Sequence, residues 1–477
     1  VELRGLGHAG LARQVNFWIA ALAALTVLRL ILAATIPLTP DETYYWIWSV
    51  DPQLGYFDHP PMVAAWIRAG TACFGDTPLG VRLLGPLAAS AGSVLLWDAG
   101  EHFLPKRHAG LIAAGLFNAT IILGVGSIIM TPDTPLVFFW TAALAGLGRL
   151  LSSRDPRWWL AVGAATGAAL LSKYTGFLLA AGIFFWLVTR QEGRAQLFEP
   201  WPWAGATLAA AIFAPDIWWN TAHGWASFAK QGSRVDGFEL ARSSGFLVEL
   251  VIGQAALITP IAGGIASAGL WRLRKMSEPA PRLLLWLTVL PIAVFLEHTI
   301  TGRVEANWPA IMLPAAFLAS AYAAEPILAY WLRPALGLGF GLTVLVYAQA
   351  IAAPFPLPAS QDPAALQLSG WQDWADQIAA THPAFVTSDE YAVASELAFH
   401  TPAAQTVVGF DTRWHYFDLP GANIPTGQDG ILVTRRTDTP CADQLGMAFR
   451  RRAGGVIAQY RLCRFAAIPG MVLLPHP

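Results

Sequence analysis

One stretch near the start of the chain is dense in groups that do chemistry. It reads Thr39-Pro-Asp-Glu-Thr-Tyr-Tyr-Trp-Ile-Trp-Ser49, then Gly55-Tyr-Phe-Asp-His-Pro-Pro61. Thr39 and Glu42 have the spacing of a capping box, with proline at the first helical position, so Asp41 is expected in a first helical turn. The tripeptide recurs as Thr131-Pro132-Asp133. A carboxylate at a helix N-terminus is favoured as the anion by the dipole. The plainer reading of both aspartates is that they only complement their dipoles.

Other polar groups join this set. Lys173 interrupts an apolar stretch, where a lysine needs a counter-charge or a path to water. A bound phosphate would supply that charge. His223-Gly-Trp225 follows Trp218-Trp219-Asn220, and Arg303, Glu305 and Asn307 precede Trp308-Pro309. A carboxylate base, fixed cations and an aromatic platform suit the transfer of a group from a lipid-linked phosphate to an acceptor hydroxyl. The base takes the acceptor proton. The cations hold the phosphate as charge develops on it. There is no Gly-Lys-Ser/Thr phosphate loop and no dinucleotide glycine fingerprint.

The elements that must position these groups are membrane helices. Charged residues are 13% of the 477 and apolar residues 55%, with a mean hydropathy of +0.47. Ordinary globular chains carry about 25% charge, so a polytopic α-helical membrane protein is expected. A net charge of −1 gives no reason to expect nucleic-acid binding. The start, 1–14, reads as no cleavable signal, and the first apolar run as a retained span. Eleven spans are read, at 15–36, 79–99, 109–129, 133–152, 157–171, 174–190, 201–220, 246–270, 283–299, 306–324 and 328–352.

The two short segments, 157–171 and 174–190, read as a hairpin turning at Lys173. One helix of their joint length would be about 50 Å, too long for a core of about 30 Å. With the N-terminus inside, fourteen Lys and Arg fall on inner loops, among them Arg4, Lys106, Arg107 and the Arg272-Leu-Arg-Lys cluster. Six fall on outer loops before the tail, among them Arg234. That is the positive-inside bias. The carboxylates, histidines and aromatics then share the outer face, with the first outer loop at 37–78. Most of the 21 tryptophans read as interface anchors.

After Pro354 the long apolar runs stop. Short strands are read at Ala384–Thr387, Thr406–Gly409, Gly430–Thr434 and Gly455–Leu462, and helices at Trp371–Ala380 and Glu390–His400. The organisation expected is a transmembrane domain, 1–354, and a small soluble α/β domain on the outer face, 355–477. Cys441 and Cys463 both lie in the latter; a disulfide and two separate thiols are both open.

At these passages the chain resembles the C-type integral-membrane glycosyltransferases (GT-C) of family 39. That family includes protein O-mannosyltransferases and the lipid A aminoarabinose transferase. The matching passages are Pro40-Asp-Glu-Thr-Tyr-Tyr-Trp, Gly55-Tyr-Phe-Asp-His-Pro-Pro61, Thr131-Pro-Asp133, Ser172-Lys-Tyr-Thr175, Trp219-Asn-Thr-Ala-His-Gly-Trp225 and Gly302-Arg-Val-Glu-Ala-Asn-Trp-Pro309. The resemblance implies inverting transfer from a polyprenyl-phosphate sugar on the non-cytoplasmic face. It places the catalytic carboxylates at Asp41, Glu42 and Asp133, with Asp133 orienting acceptor or base. It places a donor-phosphate contact at Lys173; Arg303, His59 and Tyr44 are read as further candidates for that role. Substrate contacts are read at Asp58, His223, Trp225, Glu305 and Asn307.

The aminoarabinose transferase has Glu-Lys-Pro where this chain has Asp58-His59-Pro60, and arginine where it has Tyr44. Those departures argue against the same substrate pair. A divalent metal is a possible cofactor, with Asp58, His59 and His223 as candidate ligands. The reading is therefore a glycosyltransferase of the bacterial inner membrane, facing the periplasm and modifying lipopolysaccharide. Its partners are a polyprenyl-phosphate-linked sugar, a glycolipid acceptor such as lipid A or its core, and membrane lipids. A protein hydroxyl as acceptor, a lipid or sugar transporter and a non-catalytic scaffold are the alternatives.

Overall fold

The computed structural model describes residues 8–104, 108–232 and 239–477. Arg4, Lys106, Arg107 and Arg234, used in the loop-charge count, lie outside the described residues. Seven helices carry the groups considered below. They are α1 (Pro40–Val50), α2 (Asp133–Ser153), α3 (Trp158–Ser172), α4 (Phe177–Thr189), α5 (Pro200–Ala222), α6 (Ala226–Gly232) and α7 (Tyr391–His400).

The chain divides into two compact units. The first comprises the chain up to Ile31, Asp58–Val63 and Leu84–Val344; the second comprises Leu32–Phe57, Ala64–Leu83 and Leu345–Pro477. The sheet-bearing tail thus shares its unit with most of the first loop.

The first unit is helical. Among the described residues six helices are long and apolar enough to cross a membrane: Asn16–Thr35, Pro78–Phe103, Asp133–Ser153, Leu240–Ile258, Pro279–His298 and Glu325–Ala352. Several segments read as single spans are broken instead. The 109–129 stretch becomes Ala109–Asn118 and Ile121–Gly126, because Thr120 caps the second piece through its hydroxyl. The 246–270 stretch ends one helix at Ile258 and starts another at Pro260. Thr259 stands between them with φ +71° and caps the second. The break expected at Lys173 is present: that residue is extended, and a short 3-10 turn, Tyr174–Gly176, leads into α4.

Helices α3 and α5 meet backbone to backbone. A Cβ on Gly163 would lie 2.1 Å from the Gly205 carbonyl oxygen, and one on Gly205 2.4 Å from the Trp159 carbonyl oxygen. A Cβ on Gly167 would lie 2.8 Å from the Ala209 carbonyl oxygen. Small residues four apart on both helices allow this approach, the usual solution where apolar burial does not drive association.

The second unit contains a six-stranded mixed sheet. Its strands are β1 (Val386–Thr387), β2 (Val407–Gly409), β3 (Asp429–Thr434), β4 (Gln444–Arg452), β5 (Gly455–Ala466) and β6 (Val472–Leu473), in the order β4-β5-β3-β1-β2-β6. The β1 strand pairs parallel with β2 and β3; the other pairs are antiparallel. Its core includes Trp374, Trp414 and Tyr460. Strand β4 escapes the sequence reading because it is an edge strand with little alternation, ending in Arg450-Arg-Arg452. Cys441 and Cys463 are joined by a disulfide, and Cys73 is a free, exposed thiol.

Candidate active site

The expected residues fall into two groups, one in each unit. In the second unit α1 starts as its sequence dictates. The Glu42 amide donates to the Thr39 hydroxyl at 3.4 Å, and the Thr39 amide donates back to Glu42 Oε2 at 2.9 Å. Arg82 then grips Glu42 with both arms of its fork, Nε to Oε1 and Nη2 to Oε2, each at 2.6 Å. The same guanidinium donates to the carbonyls of Ile36 at 2.6 Å and Pro37 at 2.8 Å.

Neither member of this pair is more than 1% exposed. With the Thr39 hydroxyl also donating to Oε2, Glu42 accepts three hydrogen bonds on Oε2 and one on Oε1. Expected beside the base as a catalytic carboxylate, Glu42 is instead the fastening of the helix start. Arg82 escapes the sequence reading; an arginine inside the apolar 79–99 stretch is the signal that could have found it.

Asp41, one residue earlier, is exposed. Its Oδ1 accepts a hydrogen bond from the Tyr391 hydroxyl of α7 at 3.3 Å. Tyr44, expected at the donor phosphate, is buried among aromatic rings, 4.6 Å from Tyr391 and 5.2 Å from Trp48. The Arg413 guanidinium lies 3.9 Å over the Tyr391 ring and 5.5 Å from the Tyr44 ring.

In the first unit α2 begins at Asp133. Its carboxylate takes both oxygens to Lys173 Nζ, at 2.8 and 2.9 Å, and accepts from Asn307 Nδ2 at 2.6 Å. Lys173 also lies 5.2 Å over the Trp308 ring. Both charged groups are buried. The counter-charge that Lys173 requires is thus Asp133, and Asp133 does more than complement a dipole. Gly176 permits the tight exit from Lys173, since a Cβ there would lie 2.6 Å from the Ala169 carbonyl oxygen.

A cleft runs from Asp133, with Asn307, Thr131 and Thr134 also at its polar end and walls that include Ala88, Leu123, Val137 and Phe138. The space between its walls and its open mouth is about 650 Å³.

The remaining candidates are distributed through the first unit. Asp58 and His59 are buried, and the Asp58 carbonyl accepts from Gln231 of α6 at 2.6 Å. His223 stacks on Trp219 at 4.2 Å, with Nδ1 2.8 Å from the Trp219 carbonyl. Trp225 is half exposed with φ +61°, directly after Gly224 at φ +62°. A bulky residue in the left-handed region is strained, a state that collects at functional sites.

Arg303, expected at the phosphate, is held by Glu249 at 2.5 and 2.8 Å and by Glu305 at 3.0 Å. Two carboxylates on one guanidinium leave a net negative cluster, a poor seat for an anion. Glu305, expected at substrate, is the second of those carboxylates. Among the described residues no three His, Cys, Asp or Glu side chains are grouped to hold a metal. Asp58, His59 and His223 are not brought together in such a group.

One buried cluster has at its centre a residue that escapes the sequence reading, Asp216. Asp216 on α5 is fully buried and accepts from the Tyr174 hydroxyl at 3.1 Å. That hydroxyl also bonds Ser227 at 2.7 Å and Asn220 at 3.3 Å. The signal was an ionisable residue inside an apolar segment.

Residues 58–219 match the family described as dolichyl-phosphate-mannose-protein mannosyltransferase. The resemblance to GT-C glycosyltransferases stands. The chain is 28% identical over 297 residues to the lipid A galacturonosyltransferase RgtD of Rhizobium johnstonii, covering 61% of this chain and 60% of that protein. It is 26% identical over 287 residues to an undecaprenyl phosphate-alpha-4-amino-4-deoxy-L-arabinose arabinosyl transferase of Erwinia tasmaniensis, covering 54% and 50%. These alignments span only about half to three fifths of the relatives' length.

In fold the chain is similar to ArnT of Cupriavidus metallidurans. The TM-score is 0.66 at 17% identity for the apo state, over 97% of this chain and 100% of that one. It is 0.63 at 16% identity for the form bound to undecaprenyl phosphate, over 96% and 99%. The architecture is thus the GT-C fold of a multi-pass membrane protein.

Proposed function

We propose that this protein moves a sugar from a polyprenyl-phosphate donor to a hydroxyl of a glycolipid, lipid A or its core, on the periplasmic face of the bacterial inner membrane. The observation that carries the reading is Asp41: an exposed carboxylate in the first turn of an otherwise buried helix, steered by a tyrosine hydroxyl. Its neighbour Glu42 is spent on structure, which leaves Asp41 as the carboxylate of that pair that can take a proton. The similarity to two glycosyltransferases, one named for lipid A, supports the substrate class.

In the proposed reaction the acceptor oxygen attacks the anomeric carbon of the sugar. The bond from that carbon to the carrier phosphate breaks, with inversion. The acceptor proton passes to Asp41, and the bonding electrons leave on the polyprenyl phosphate. Lys173 is the proposed phosphate contact: its ammonium is the cation paired with Asp133, over the Trp308 ring. The cleft ending at Asp133 and Asn307 has the apolar walls a prenyl chain needs. The disulfide at Cys441 and Cys463 supports an oxidising, outer location for the α/β region, which we take as soluble. Eleven crossings are proposed: the six long apolar helices, with the segments 109–129, 157–171, 174–190, 201–220 and 306–324.

A protein hydroxyl as acceptor is the second reading, favoured by the family description that 58–219 match. The test is purified protein in vesicles with a panel of polyprenyl-phosphate sugars, neutral, acidic and amino, plus extracted glycolipid or a serine-rich peptide. Carrier release with a mass gain on the glycolipid is expected. Gain on the peptide alone would install the second reading, and no release from any donor would sink both.

A further inference from the structure

The second unit joins two distant parts of the chain at Asp41. Helix α7 lies against α1 through three side-chain contacts besides packing. The Tyr391 hydroxyl donates to Asp41 Oδ1 at 3.3 Å. The Thr43 hydroxyl donates to Glu396 Oε1 at 3.3 Å. The Phe399 ring meets Trp46 edge-on at 5.1 Å. Glu396 is fully buried, and burial pushes its carboxyl above the usual range. A buried acid kept for one threonine hydroxyl and the nearby His400, 3.1 Å away, marks this as a built contact.

The Tyr391 ring is itself fixed. It lies 4.6 Å from Tyr44 on one side, and Arg413 sits 3.9 Å over it. A guanidinium on the ring face withdraws electron density and makes the phenol O–H a better donor. Charged and titratable groups near this contact include Glu42 on the same turn as Asp41, bound by Arg82, and Arg413 from the Thr412–Tyr416 turn, over the Tyr391 ring.

We infer that Tyr391 is a positioning residue for the proposed base: its hydroxyl aims the Asp41 carboxylate and holds it ionised, so the C-terminal α/β region completes the active site. This rests on the base reading of Asp41. A hydrogen bond donated to the ionised form of an acid favours that form. Losing the donor should therefore raise the pH at which Asp41 takes its proton.

The experiment is a pH titration of the aspartate carboxyl carbons, isotope-labelled, in the full-length protein in nanodiscs. The Asp41 signal is identified by its loss in Asp41→Asn. Tyr391→Phe, which keeps the ring in its stack, should move that titration upward by about one pH unit. It should also move the acid limb of the pH–rate profile the same way and leave the donor KM unchanged. Should Tyr391→Phe fold poorly, 3,5-difluorotyrosine at 391, a more acidic phenol, should move the titration downward. A merely structural tyrosine would lower the rate evenly across pH and leave the titration in place. A titration unmoved in both variants, with Asp41→Asn inactive, overturns the inference alone. Full turnover by Asp41→Asn overturns the base reading and the inference with it.

Discussion

Thr39-Pro40-Asp41 and Thr131-Pro132-Asp133 are the same tripeptide at two helix starts, and they fold to opposite ends. At the first, the threonine caps the helix and the aspartate is exposed beside a tyrosine hydroxyl. At the second, the helix begins two residues later, at the aspartate, and that aspartate is buried on Lys173 and Asn307. The residue three places after the threonine decides between them. Glu42 closes a capping box on Thr39. Thr134 cannot reach back as a glutamate does; its hydroxyl donates to the Ile129 carbonyl and accepts from the Thr131 amide instead. The aspartate is left to find its partner 40 residues away. A shared motif thus fixes a local turn and leaves the function of its acid to the next side chain.

Five substitutions break or sharpen this contrast. Removing a buried partner costs most. Glu42→Gln strands Arg82, and Asp133→Asn strands Lys173. Each should lower stability by about 3–5 kcal/mol, read as a fall in thermal unfolding temperature in detergent, with the Trp308 ring softening the second. Asp41→Asn should leave that temperature in place yet reduce transfer about 10²-fold or more, the size of a general-base contribution. An Asp41 variant that unfolds, or an Asp133 variant that is stable but inactive, would invert the assignment. Thr39→Ala should cost about 1 kcal/mol through the lost cap. Thr131→Ala should cost no more than about 0.5 kcal/mol, the range of substitutions that touch no special feature. Equal costs for the two threonines would erase the difference in their helix starts.

What could be read from the sequence follows the range of the interaction. The capping box, the break at Lys173 and the short strands before Leu462 are set by residues within one turn or one strand, and each is legible from a few neighbours. The cap that Thr120 provides and the stop at Pro260 are equally local; a reading by apolar length alone passes over them. The pairings are not legible. Asp133 with Lys173 spans 40 residues, Glu42 with Arg82 also 40, and Tyr391 with Asp41 350. Nothing in the type or spacing of those residues names the partner. For the same reason Arg303 looks like a free cation in the sequence, and only the fold brings Glu249 onto it.

The glycine contact between α3 and α5 has a consequence for how freely this chain can vary. Where Gly163 faces Gly205 an added atom meets backbone, and where Gly167 faces Ala209 it meets backbone and the Ile212 Cβ, none of which can swing aside. A saturation library should therefore lose nearly every variant at 163 and 205, alanine included, while exposed Leu160 on the same helix accepts most replacements. Plotted along α3, survival would dip at 163 and 167, one helical turn apart. The seam between two helices would be visible as a rhythm in the tolerated alphabet.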